Sequence, residues 1–251
     1  MPLKYIGLTF AGFACTAAVW FVVDCAVAQT QPPNSAKSTA PAAPATNPVT
    51  ITIPPQTPVP TVPSAPKKKL PPPVAVAFKT RDGVQLSATF YPTPLEKDAQ
   101  KDAVPVILLH SFKGSRAEFN DLAVALQEAG CAVLAPDLRG HGQSTRRTTS
   151  EGNDVEIEQA LMIRQDFDAM AHSDVDTSGD VEACKKFLMD KNNAGQLNID
   201  KLVLIGAEMG AAVAINWARR DWSWEPLASG KQGKDVKALV LLSPEWSFRG
   251  L

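Results

Sequence analysis

The stretch Lys201 to Ala218, KLVLIGAEMGAAVAINWA, constrains the fold more than any other part of the chain. A short apolar run, Leu202 to Ile205, leads into Gly206-Ala207-Glu208-Met209-Gly210. A helical pattern of small residues, Ala211 to Ala218, follows without a break. That order reads as a buried strand, a sharp turn and a helix. Gly206 and Gly210 suit a close strand–helix approach and a strained turn, and Ala207 and Ala211 keep the crossing narrow. At the centre of the turn stands an acid, Glu208.

The residues around this stretch supply a sheet for it to join. Residues 74–80 and 84–91 alternate loosely around Arg81-Asp82-Gly83, which predicts a β-hairpin. Residues 104–109 are continuously apolar, as a central strand covered on both faces would be. Residues 116–129 carry apolar side chains at helical spacing and end at Gly130. Residues 132–135 read as a strand, 154–170 and 180–190 as helices, and 236–242 as a last strand. An antiparallel pair followed by alternating strands and helices predicts an α/β fold with a mostly parallel sheet and helices on both faces.

The N-terminal part has a different character. Lys4 precedes an uncharged run from Tyr5 to Val23, and Ala26-Val27-Ala28 offers a small-residue cleavage site. Residues 1–28 are therefore expected to be a secretory signal peptide, or an uncleaved anchor with residues 5–23 as a membrane tether. Either form places the domain in an exported location, periplasmic or extracellular. Residues 29–73 hold 14 of the 21 prolines and no glycine or aromatic residue. Such a segment cannot bury enough apolar surface to offset its ordering entropy, so a disordered, extended linker is expected. The folded domain is assigned to residues 74–251. The formal net charge is −1, which gives no electrostatic footprint for nucleic acid.

Three segments resemble, in order, the motifs of the α/β-hydrolase superfamily, specifically its serine aminopeptidase and lipase-like members. His110-Ser111-Phe112-Lys113-Gly114-Ser115 is similar to the H-G-x-x-G-S oxyanion loop, with Ser111 in place of Gly. Asp137-Leu138-Arg139-Gly140-His141-Gly142-Gln143-Ser144 is similar to the family's D-x-R-G-x-G-x-S loop. The Gly206–Gly210 turn resembles the G-x-S-x-G nucleophile elbow, with Glu208 replacing Ser. The resemblance implies that the backbone amides of Phe112 and Met209 form the oxyanion hole. It also implies an acid and then a histidine after the elbow, yet the three histidines are His110, His141 and His172. The family sheet usually has eight strands, and residues 239–242 would belong to the sixth, so the C-terminal strands are expected to be missing from this chain.

These departures imply a catalytically degenerate hydrolase-family protein, acting as a binding or scaffold domain for a small molecule or protein partner. The alternative is an ester or haloalkane hydrolase with Glu208 as carboxylate nucleophile and its base beyond residue 251. For the degenerate form, the Glu208 carboxylate is expected to fold back over the amides at the head of its helix and plug the oxyanion hole. No cofactor and no metal are expected. Asp174 to Asp180 has the first half of a calcium loop, but Lys185 stands where its bidentate Glu would be. Ser178 or Asp180 is expected instead to cap the next helix. Trp217, Trp222, Trp224 and Trp246 are read as packing aromatics rather than a stacking platform, and Cys131 and Cys184 as free thiols.

Overall fold

The computed structural model describes residues 69–171, 179–225, 228 and 232–244. The expected signal peptide, nearly all of the expected linker, His172, Trp246 and most of the calcium-like loop lie outside the described residues. Within them the chain forms β1 (Val74–Lys79), β2 (Val84–Tyr91), α1 (Lys97–Gln100), β3 (Pro105–Leu109), α2 (Asn120–Glu128) and β4 (Ala132–Pro136). Next come β5 (Arg146–Thr148), β6 (Asp154–Glu156), α3 (Arg164–Ala171), α4 (Asp180–Asn193), β7 (Leu202–Ala207), α5 (Met209–Ser223) and β8 (Val236–Leu242).

One 8-stranded sheet organises these elements, in the order β6-β5-β2-β4-β3-β7-β8, with β1 paired to β2. The strands β4, β3, β7 and β8 run parallel, and β1, β2, β5 and β6 join antiparallel. The register puts Leu109 beside Gly206, so β3 and β7 deliver their following loops to the same end of the sheet.

Alternation along β3 explains the layers. Val106 and Leu108 pack with Phe119 and Ala123 on the α2 side. Ile107 and Leu109 pack with Phe167, Val181, Val213 and Trp217 on the side of α3, α4 and α5. Every residue of β3 is buried, as the continuous apolar run predicts. Helices therefore cover both faces. The segment before β1 is partly fixed as well: the Gln127 amide donates to Pro71 O at 2.9 Å and to Pro92 O at 2.8 Å.

Several sequence expectations need correction. Residues 154–170 are not one helix. Asp154–Glu156 pairs with Arg146–Thr148 as a hairpin, a 3-10 turn follows at Gln159–Leu161, and the helix starts at Arg164. Gly152, at φ 84°, makes the reversal between the two short strands. The helix expected from residue 116 opens as a 3-10 turn, Arg116–Phe119, before α2 begins. Gly179, which has no side chain to offer, stands at the N-cap of α4, Asp180 is already inside the helix, and Ser178 lies outside the described residues.

Asp180 is occupied elsewhere. Its Oδ1 accepts from Arg139 Nε at 2.9 Å and Nη2 at 2.7 Å, and its Oδ2 accepts from Arg139 N at 2.8 Å. Asp82 accepts from the other side of the same guanidinium at 2.7 Å. Arg139 and Asp180 side chains are 2% and 0% exposed. Burial works against the Arg139 charge, but the Asp180 and Asp82 carboxylates outweigh it and hold its pKa above the ordinary value. Removing one partner from such a group leaves buried charge unmatched, which costs about 3–5 kcal/mol. Asp180→Ala is therefore expected to lower unfolding stability in urea by about 3 kcal/mol or more. Asp82→Ala, whose side chain is 20% exposed, should cost less; equal stability of Asp180→Ala and the parent would contradict this pairing.

Candidate functional site

The site is built where β7 hands over to α5. A Cβ placed on Gly206 would lie 2.3 Å from Gly210 O, and one on Gly210 would lie 2.1 Å from Leu109 O. Neither position can hold any side chain without moving backbone. The expectation of a close crossing at these two glycines is met by that geometry. Glu208 sits between them at φ 47° and ψ −108°, a strained conformation for a residue with a Cβ. Its N–H donates to Leu242 O at 2.9 Å, and its C=O accepts from Ala211 N and Ala212 N at 3.1 and 3.2 Å. The turn is thus tied to β8 on one side and opens α5 on the other.

The Glu208 side chain does not do what its position suggests. It is exposed, and it makes no capping hydrogen bond to α5. The plug over the oxyanion amides is not formed. The reason is one of magnitudes: a helix N-terminus favours an exposed anion by only about 0.3–1 kcal/mol. That is less than the side-chain entropy a glutamate loses on being fixed, about 1.5–2 kcal/mol. Met209, the next residue, is fully buried and begins α5, so only its backbone faces the turn's chemistry.

The second half of the site is the loop after β3. Ser111 O accepts from Gly114 N at 3.1 Å, which closes a tight turn around Phe112 and Lys113, the latter at φ 64°. Ser111 N and Oγ both donate to Glu118 Oε2, at 3.0 and 2.9 Å. Ser111 therefore anchors the loop, and Glu118 is a partner that sequence reasoning missed. Its reach depends on the 3-10 turn at Arg116–Phe119, which no periodicity announces. The Phe112 ring stands edge-on to His141 at 5.7 Å and tilted to Phe167 at 6.0 Å.

The two described histidines are scaffold. His110 Nδ1 lies 2.8 Å from Ser111 O, and Leu138 N donates to its Nε2 at 3.0 Å. That pairing fixes a neutral ring with the proton on Nδ1. Burial pushes the His110 pKa below its usual range. His141 Nδ1 lies 2.9 Å from Arg139 O, and burial lowers its pKa too. His141 Nε2 is buried with no hydrogen-bond partner among the described residues.

The D-x-R-G-x-G-x-S loop is equally committed to architecture. Asp137 accepts from Arg116 N and Nη1, both at 2.7 Å, and from Gln143 N at 2.9 Å. Ser87 N donates to Ser144 Oγ at 2.9 Å. No group of three or more His, Cys, Asp or Glu side chains suited to a metal ion occurs among the described residues. Cys131 and Cys184 are free thiols, the latter fully buried in the core. Trp217 is 1% exposed in the core, whereas Trp222 is 54% exposed and donates from Nε1 to Val236 O at 2.9 Å.

Comparison with known proteins gives this geometry its family. The chain is 31% identical over 122 residues to the sn-1-specific diacylglycerol lipase ABHD11 of Danio rerio, covering 48% of this chain and 29% of that protein. Among solved structures it resembles the α/β hydrolase GrgF from Penicillium sp. sh18, with TM-score 0.46 and 19% identity over 69% of this chain and 46% of that one. It also resembles an epoxide hydrolase, VrEH1 from Vigna radiata, with TM-score 0.43 and 17% identity over 68% of this chain and 38% of that one. The chain thus spans less than half the length of each. The sequence profile of the alpha/beta hydrolase fold matches residues 104–249, from the first parallel strand past the elbow. The chain belongs to the α/β-hydrolase family.

Proposed function

We propose that this family member does not hydrolyse esters through an acyl-enzyme and instead serves as an exported binding or scaffold domain. Glu208 carries the reading: an exposed carboxylate stands on the strained backbone where the family's hydroxyl nucleophile would stand. A serine mechanism needs a hydroxyl and an imidazole that can take its proton. Both described imidazoles are buried and hydrogen-bonded to loop backbone. An exposed carboxylate is an acceptor, so it suits a donor group or cation on a small molecule or protein partner. Export rests on the basic, apolar and small-residue order of residues 1–28.

The strain at Glu208 favours one second reading. Unusual φ and ψ values persist where surrounding structure enforces them, and they cluster at reactive positions. A carboxylate there could displace halide from a haloalkane or open an epoxide, forming an ester through one of its oxygens. Release of that ester would need water and a base that the described residues do not offer.

Turnover separates the readings. Incubation of the full chain with 4-nitrophenyl esters, a haloalkane and an epoxide is expected to give no product above buffer and no covalent adduct. Product formation that disappears in Glu208→Gln, with an ester on the Glu208 peptide by mass spectrometry, would establish the second reading.

The scaffold role of the histidines has its own test. A pKa lowered in the folded state means that the unfolded chain binds protons first as pH falls. The stability that His110 and His141 contribute is thus full above about 6.5 and declines as pH drops below it. Glu182, whose pKa is raised by burial, works in the opposite direction at lower pH. Comparing the parent with His110→Gln isolates the histidine contribution: between pH 7 and pH 5 the parent's melting temperature should fall more steeply than the variant's. Parallel profiles would contradict a buried neutral His110.

A further inference from the structure

The end of the sheet opposite the elbow holds a cavity of about 250 Å³. Phe90 and Pro92, from β2 and the loop after it, bring it beside the entry of β4, where Phe90 pairs with Leu134 and Tyr91 with Val133. Gln196, another wall residue, precedes the turn that leads into β7. The elbow follows the other end of that strand. The cavity is therefore separate from the Glu208 site.

Its walls divide by chemistry. Val76, Phe90 and Pro92 are apolar, and Gln100, Gln196 and Lys191 are polar, with no acidic side chain among the lining residues. Lys191 Nζ lies 5.5 Å from the centre of the Phe90 ring and 5.4 Å from that of Phe187. Phe187 is itself held, stacked on Phe78 at 5.5 Å and edge-on to Phe90 at 5.4 Å. The rings fix where the ammonium stands without neutralising it. Lys185 and Lys201 form ion pairs with carboxylates, but Lys191 forms none among the described residues. A lysine in the last turn of α4 is favoured by the helix dipole alone. The dipole does not explain an ammonium clamped by two rings at the wall of a half-apolar cavity.

We propose that this cavity binds a small monocarboxylate with a short hydrocarbon tail, the carboxylate on Lys191 and the tail against Val76, Phe90 and Pro92. The size agrees: sites for drug-sized ligands run from about 300 to 1,000 Å³, so this one takes a smaller molecule. A carboxylate gains a charge-assisted hydrogen bond from an ammonium that lacks one, and the tail removes apolar wall from water.

Heteronuclear NMR titration of the full chain with hexanoate, hexanol and acetate tests this. Hexanoate is expected to bind saturably, shifting the amides of Val76, Phe90, Gln100 and Lys191 and leaving those of Phe112 and Met209 unmoved. Hexanol lacks the charge and acetate the tail, so both should bind at least about tenfold more weakly, the scale of one such interaction. Lys191→Met keeps much of the stem and should lose the preference for hexanoate over hexanol, whereas Lys191→Arg should keep it. Equal binding of hexanol, an unchanged Lys191→Met, shifts confined to the elbow, or no saturable binding up to about 10 mM would each overturn the proposal.

Discussion

The molecule depends on one steric constraint, the contact between two backbones where α5 leaves β7. Gly206 lies against the carbonyl of Gly210, and Gly210 lies against the carbonyl of Leu109 at the end of β3. Three elements meet there with no room for a Cβ. The consequences run outward. Glu208 is forced to positive φ, its N–H reaches β8, and Met209 is driven into the core. The mostly parallel sheet brings β3 and β7 side by side, so the oxyanion-like loop and the elbow share one end. The strained backbone at Glu208 thus accompanies the tight packing of its two flanking glycines.

Electrostatics in the surrounding loops secure that packing. Arg139 joins Asp82 and Asp180, Asp137 holds the 3-10 turn through Arg116, and His110 bridges two loops as a neutral ring. These groups carry the motifs that mark the family, yet all of their described bonds are internal. The proposed function therefore turns on Glu208. Glu208 itself is exposed, and both described imidazoles are bonded to loop backbone.

Much of this was legible in the sequence, for definite physical reasons. Continuous burial of β3 and near-continuous burial of β7 produced uninterrupted apolar runs, and the demand for glycine at two close contacts wrote Gly206 and Gly210 into the chain. The hairpin of β5 and β6 was not legible. Its strands are three residues each and almost wholly exposed, so burial imposes no alternation on them. The Glu118 bond to Ser111 was missed because it needs a 3-10 turn, whose short span leaves no periodic signature. The expected plug by Glu208 failed for another reason. Sequence shows that an acid heads a helix, but not whether a weak dipole outweighs solvation and side-chain entropy.

Equilibrium urea unfolding of Gly210→Ala against the parent tests the steric constraint most directly. One methyl group there meets the Leu109 and His110 carbonyls, so β3, β7 and α5 must separate to admit it. The expected result is a loss of about 3 kcal/mol or more, the upper range for a single overpacked site, or a chain that does not fold. A Gly210→Ala protein unfolding at the parent's midpoint and slope would contradict the role given to that crossing.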